Sequence, residues 1–363
     1  MHILQRAVIA ISGAALFTYS YGESVGGHIG LPTVGHPANN PPTAEKVTLG
    51  GKIFFDNRLS ASGKISCASC HQPDRAFSDG LSISRGVDNL VGTRNAPSLL
   101  NAGFMETQFW DGRRTTLEAQ TLDPFVNPRE HGLPNTAQLV ALVRADPSYP
   151  ALFAQAFGIA QASIDEDSIA KALASYVRSL NGGSSAFDYY YYGGEETALS
   201  QSARRGLALF LGRAQCATCH QIGPSSASFS DQKFHGLHIG MSRIETRLAD
   251  ITKHAVAARH GKQSADAMIL SEADISELGR FFVTLDPADI GQFRTPSLRN
   301  VALTAPYMHD GSIETLAQAV DQEIYYRSNQ NGRPIVLTPE EKTDLVHFLE
   351  SLTGEAAQQV APR

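Results

Sequence analysis

Residues 65–71 read ISCASCH, and residues 214–220 read AQCATCH. In each copy two cysteines separated by two residues are followed at once by a histidine: Cys67, Cys70 and His71, then Cys216, Cys219 and His220. This spacing suits covalent attachment of haem c, in which two thiolates add to the haem vinyl groups and the adjacent imidazole ligates the iron. A structural zinc site wants four ligands, and neither copy has a second Cys-x-x-Cys or a His-x-x-x-His close by. A thioredoxin-like pair wants a βαβ setting, whereas the surroundings here read as helical. All four cysteines of the chain are consumed by the two motifs, so the expected cofactors are two covalently bound haem c groups, ligated by His71 and His220.

The rest of the chain narrows the class. Its 363 residues are 42% hydrophobic and 18% charged, an ordinary globular composition with room for two domains. A net charge of -6 gives no basic field for nucleic acid. At the N-terminus Arg6 precedes an apolar run from Ala7 to Phe17 that ends in small or polar residues. Residues 1–22 therefore read as a secretory signal peptide, too short to span a bilayer, which predicts a periplasmic protein without stable membrane insertion. Residues 23–42, rich in Gly, Pro and Asn, read as an extended lead-in without a core face.

Beyond residue 42 helix signals dominate. Ser163 with Glu166 forms a capping box ahead of Ile169, Leu173, Tyr176, Val177 and Leu180, which share one helix face, and Gly182, Gly183 and Ser184 stop it. Thr338 as N-cap, Pro339 at the first helical position and Glu341 completing the box open a last helix carrying Leu345, Phe348, Leu349 and Leu352. Long irregular stretches lie between, as expected where haem supplies much of the core. The run Tyr189–Tyr192 sits in the predicted connection, where it reads as aromatic packing. An internal repeat is also present: Pro97, Ser98, Leu99, Asn101, Asp111, Gly112, Thr116 and Leu117 recur 199 positions later as Pro296, Ser297, Leu298, Asn300, Asp310, Gly311, Thr315 and Leu316. The haem motifs recur only 149 positions apart, so the second half carries 50 extra residues between its motif and the repeated segment. The expected fold is mainly α, with two cytochrome-c-like haem lobes related by a pseudo-twofold, over residues 43–195 and 196–356. In this register Trp110, the sole tryptophan, aligns with His309.

Five segments carry a resemblance: FFDNRLSASGKISCASCHQP (54–73), TRNAPSLLN (93–101), FWDGR (109–113), NPREHG (127–132) and FRTPSLRNVALTAPYMHDGSIETL (293–316). Together, from about Pro42 to Gly354, the chain resembles the bacterial di-haem cytochrome c peroxidase and MauG superfamily. The resemblance implies a peroxidatic N-terminal haem on His71 and an electron-handling C-terminal haem on His220. It makes Glu130 the acid-base group, Gln120 the distal glutamine, and Trp110 the relay between haems. It also implies a calcium ion between the haems, held through oxygens of Asn95, Thr304 and Pro306. Proton transfer to the leaving oxygen of peroxide is general acid-base work suited to a secluded carboxylate. A solvated loop acid is the alternative for Glu130, and interlobe packing the alternative for Trp110.

Departures from the family pattern matter most. Many relatives block the resting peroxidatic iron with a histidine from the loop that here reads FSDGLSISRGVDNLVGTRNAP (77–97), which contains none; Val87 stands about where it would be. A permanently open first haem is the consequence, as in MauG-like members. Relatives take the sixth ligand of the second haem about fourteen residues after the His of HDG, which lands on Glu323, with Tyr326 the alternative on a shared helix face. An anionic oxygen there favours the oxidised iron. Two activities are expected to compete: oxidation of a partner protein on Trp or Tyr, and reduction of hydrogen peroxide to water with electrons from a small cytochrome c or cupredoxin. A pure electron-transfer cytochrome would need neither Glu130 nor an open iron. Relatives often form homodimers.

Overall fold

The computed structural model describes residues 28–261, 264–330 and 332–354, so the predicted signal peptide lies outside the described residues. Within them the chain is mainly helical, with a single pair of short antiparallel strands, Phe234–Gly236 and Gln292–Arg294. No helix among the described residues is long and apolar enough to cross a membrane.

Each half is built on one crossed pair of helices. In the first, helix Ala44–Phe55 begins where the Thr43 side chain accepts the Lys46 amide, and it buries Leu49, Ile53 and Phe54 against helix Glu166–Ser179. Gly50 sits at the crossing: a Cβ there would fall 2.0 Å from the Ala172 carbonyl oxygen. The second half repeats the device, with helix Gln201–Leu211 on helix Pro339–Glu350 and Gly206 set 2.0 Å, by the same measure, from the Asp344 carbonyl. Two separate apolar cores result, one around Leu49, Phe54, Phe125 and Phe153, the other around Phe187, Phe210, Phe229 and Phe348. The sequence repeat is visible in the backbone. Asn101 and Asn300 both adopt positive φ, and the side-chain oxygen of each accepts a backbone amide, that of Gly182 and of Gly354 respectively. The 50 extra residues make a third core of their own, Ile244 to Phe282, from helices Leu248–His260, Ala265–Ser271, Ala273–Glu277 and Phe281–Thr284.

One expectation needs correction and two are refined. Ser163 is not the N-cap: it lies in a 3-10 turn, Gln161–Ser163, and Asp165 caps the helix. The Asp165 side chain accepts the Ser168 amide at 2.9 Å and Ser168 Oγ accepts the Asp165 amide at 3.0 Å. Burying Ile164 completely places the start two residues later. The tyrosine run is not in a bare connection: helix Ala186–Tyr191 inserts Phe187 into the second core, with Tyr190 and Tyr192 against it. The described part of the lead-in, 28–42, lacks apolar burial, as expected, but it is bonded to both halves through polar groups. Asn40, fully buried, donates to Glu118 Oε1 at 2.8 Å and to the Lys171 carbonyl at 3.1 Å. The Gly30 carbonyl accepts from Arg299 Nη2 at 2.6 Å, and that guanidinium is paired with Asp188 where both side chains are fully buried.

Candidate functional site

Both Cys-x-x-Cys-His motifs open onto one long cavity between the halves, lined by His71 and Cys70 on one side and by His220, Cys216 and Cys219 on the other. Cys67–Cys70 forms a single helical turn capped by Ser66, and Cys67 packs on the first core. The His71 Nδ1 lies 3.0 Å from the Phe77 carbonyl and the His220 Nδ1 lies 2.9 Å from the Phe229 carbonyl. A carbonyl only accepts, so Nδ1 carries the proton in each ring and Nε2 is left for a metal. None of the four cysteines is in a disulfide. Arg94 adds a further indication: its buried Nε and Nη1 have no hydrogen-bond partner although the side chain lines the cavity, with its guanidinium 4.7 Å from the Phe293 ring centre. Its Nη2 donates to the Ser276 carbonyl at 2.6 Å and lies 4.0 Å from Asp111, so what remains is two buried N–H groups without acceptors, which suit an anion such as a haem propionate. The donor set in both halves therefore fits two haem c groups.

On the first-half side Glu130 and Gln120 line the cavity. The Glu130 amide donates to the Asn127 carbonyl at 3.1 Å, and its carbonyl accepts the Val87 amide at 2.7 Å. Gly86 makes that approach feasible, since a Cβ there would meet the Arg129 oxygen at 2.1 Å. Burial pushes the Glu130 carboxyl up to about 7; Arg113 opposes the shift, and Asp266 and Asp123 add to it. Among the described cavity-lining residues before the second haem motif, His71 is the one imidazole. His131, next to Glu130, turns away: its Nδ1 faces the Leu59 carbonyl at 3.2 Å and its ring packs edge-on against Phe125.

Trp110 lines the middle of the cavity and donates its indole N–H to the Asn95 carbonyl at 3.0 Å. The Asn95 amide donates to the carbonyl of His309, the residue aligned with Trp110, so both halves of the repeat meet on one backbone unit. His309 stacks on Phe293, ring centres 3.7 Å apart, and its Nε2 is 3.0 Å from Glu277. Asn95, Thr304 and Pro306 all line this region. Asn95 spends Nδ2 on the Leu81 carbonyl and Thr304 donates its hydroxyl to the Val301 carbonyl.

Helix Leu316–Gln330 forms the wall of the second-half side, with Leu316, Val320, Glu323, Ile324 and Arg327 facing the cavity. Glu323 lies 3.5 Å from Arg327 Nε and its charge bears on His220. Tyr326 does not share that face: it is buried with its ring 5.0 Å from His238 and is not among the lining residues. Three helical residues turn by about 300°, a net offset of about 60° to the side opposite Arg327 and Ile324, which sets Tyr326 on the outer flank of the cavity-facing surface. Arg94 and Arg327 were not singled out from sequence; Arg327 carries the readable signal, a cation four residues after Glu323.

The sequence profile of the di-haem cytochrome c peroxidase family matches residues 44–197. The methylamine utilization protein MauG of Methylophilus methylotrophus is 34% identical over 90% of this chain and 88% of its own length. The cytochrome-c peroxidase IdrP1 of Pseudomonas sp. (strain SCT) is 34% identical over 96% of this chain and 92% of its own. In three dimensions, a MauG-like protein associated with microbial copper homeostasis, solved by crystallography, superposes with a TM-score of 0.73 at 33% identity, covering 93% of this chain and 96% of that one. Motif, fold and relatives agree, and the chain belongs to the di-haem cytochrome c peroxidase family.

Proposed function

We propose that this enzyme is a periplasmic, MauG-like di-haem oxidase that activates hydrogen peroxide in the first half and uses the oxidising power on a partner protein. The carrying observation is the clamp of Val87 on Glu130: the loop in which many relatives keep a blocking histidine is bonded to the backbone of the acid-base residue, and it presents Ser84, Gly86 and Gly92 to the cavity instead. When bound, haem supplies an iron that accepts electrons from donors and passes them to peroxide. Glu130, half-buried in the cavity wall with its carboxyl raised to about 7, takes the proton from the near oxygen of peroxide and returns it to the far one. Gln120 holds the peroxide oxygens by hydrogen bonding. Trp110, fixed by Asn95, gives electrons a path between the halves. Glu323 would supply an oxygen ligand to the second iron, with Tyr326 turned elsewhere, and Asn95, Thr304 and Pro306 would hold a calcium ion in the wall between. The balance is one peroxide, two protons and two electrons giving two waters, with the electrons drawn from Trp or Tyr side chains of the partner.

A second reading, a peroxidase fed by a small cytochrome c or cupredoxin, is favoured by the relatives named cytochrome c peroxidase and is equally served by Glu130. Stopped-flow mixing of the fully oxidised protein with one equivalent of peroxide tests the open-site proposal. Immediate reaction is expected; a reaction that waits for reduction of one haem would overturn it. Steady-state turnover with reduced cytochrome c, compared with oxidation of a partner protein, separates the two activities.

A further inference from the structure

The 50 residues that lengthen the second half reach across to the first. Asp266, in helix Ala265–Ser271, sets its carboxylate between two arginines of the FWDGR region: it accepts from Arg113 Nε, and from Arg114 Nη2 at 3.0 Å. Its backbone carbonyl accepts from Asn127 Nδ2 at 3.2 Å, and the Asn127 carbonyl in turn accepts the Glu130 amide. Asn127 Oδ1 takes the Arg129 amide at 2.9 Å, so one side chain of the NPREHG turn is tied both to the turn and to the added segment. Leu270 from the same helix completes the cavity wall.

Arg113 is the link on the charge side. Its side chain is 7% exposed, lines the cavity together with Glu130, lies 3.4 Å from the Phe109 ring centre and donates Nη1 to both Asp111 oxygens at 3.1 Å. We infer that Asp266 is a positioning residue for Glu130, fixing Arg113 and the Asn127 turn so that the proton affinity of the acid-base carboxyl is set from the opposite half of the molecule. The charges around Glu130 are few and identifiable. Arg113 attracts its carboxylate, and Asp266 and Asp123 repel it. Arg114 is paired to Asp123 at 2.7 Å and to Asp266, and Arg129 turns outward to the Val91 carbonyl. On the 79–92 loop Arg85 and Asp88 are exposed and screened by water, and buried Asp79 bears on Cys70 and His71.

The inference deepens the peroxide role given to Glu130, and its test reads the carboxyl directly so that the two can fail separately. In the full-length haem-loaded protein, the infrared C=O band that disappears in Glu130→Gln reports protonation of Glu130 and is followed against pH, beside the pH profile of the peroxide reaction. Asp266→Asn removes a repelling charge and leaves Arg113 one carboxylate short, so the midpoint should fall, on the order of one pH unit. Arg113→Gln should raise it by a similar amount, and Asp266→Glu should restore it. Shifts of equal sign, unmoved midpoints, or no C=O band sensitive to Glu130→Gln would overturn the inference. Should Asp266→Asn not fold, an unmoved midpoint in Arg113→Gln is sufficient to overturn it. If the band moves in opposite directions but the rate profile does not track it, the positioning role stands and the peroxide role of Glu130 falls.

Discussion

The amide of Val87 donates to the carbonyl of Glu130 across 2.7 Å, closing the 79–92 loop onto the turn that carries the Glu130 carboxyl. A loop held in this way cannot swing a side chain over the first site without breaking that bond.

Gly86 is the weak point of that clamp. A Cβ added there would meet the Arg129 oxygen at 2.1 Å, so Gly86→Ala should separate the loop from the Glu130 turn. The expected outcome is retained haem content, a slower peroxide reaction and faster hydrogen exchange at the Val87 amide, read by stopped flow and mass spectrometry.

On the acid-base role proposed for Glu130, its replacement by Gln should cost about 10²–10⁴-fold in the proton-transfer step. The pH dependence carries a definite sign. Burial raises this carboxyl to about 7, so the ionised form that can accept the peroxide proton accumulates above that pH, and the wild-type rate should climb through it while the Gln variant stays flat. Stability runs the other way: the neutral carboxyl is tolerated below its unfolded value, and that contribution is lost as pH rises through about 7. The Gln variant should therefore gain thermal stability over wild type on the alkaline side.

Much of this site was legible because its signals are short-range. The haem motifs need five residues each, and Thr338, Pro339 and Glu341 announce the last helix within four positions, with both bonds of the box present at 2.8 and 3.2 Å. The first helix of this kind was misplaced for the opposite reason: two cap-forming residues stand two apart, and only the burial of Ile164 decides between them. Asp266 could not be read at all, because its partner Arg113 is 153 residues away and no motif surrounds it. The lead-in lacks a core face as its composition indicates, but its ties run through carbonyls and amides, which composition does not register.

Trp110→Phe keeps the ring contact but removes the N–H that reaches the Asn95 carbonyl at 3.0 Å. Both haems should remain bound while electron sharing between the halves slows, visible as a changed optical spectrum after peroxide. A spectrum identical to wild type would reduce Trp110 to packing.

Glu323→Gln should alter the ferric signal of the second haem, because its carboxylate faces the cavity beside His220; Tyr326→Phe, directed at His238, should leave it unchanged. Electron paramagnetic resonance of the oxidised protein distinguishes them, and an effect confined to the tyrosine variant would remove Glu323 as ligand.

Helix crossing supplies a stability test. Gly206→Val puts atoms 2.0 Å from the Asp344 carbonyl and should cost at least the ~1–3 kcal/mol typical of an overfilled core, seen as a lowered Tm, whereas Gly35→Ala, with nothing within 4 Å, should be neutral.

The bond from Arg299 to the Gly30 carbonyl joins positions 269 residues apart. Closing so long a loop has little to recommend it until the Asp188–Arg299 pair exists, and that pair needs the second core in place. The early segment can therefore seat only on an assembled second half, and it adds one more tie to those that Asp266 and Asn95 already make between the halves.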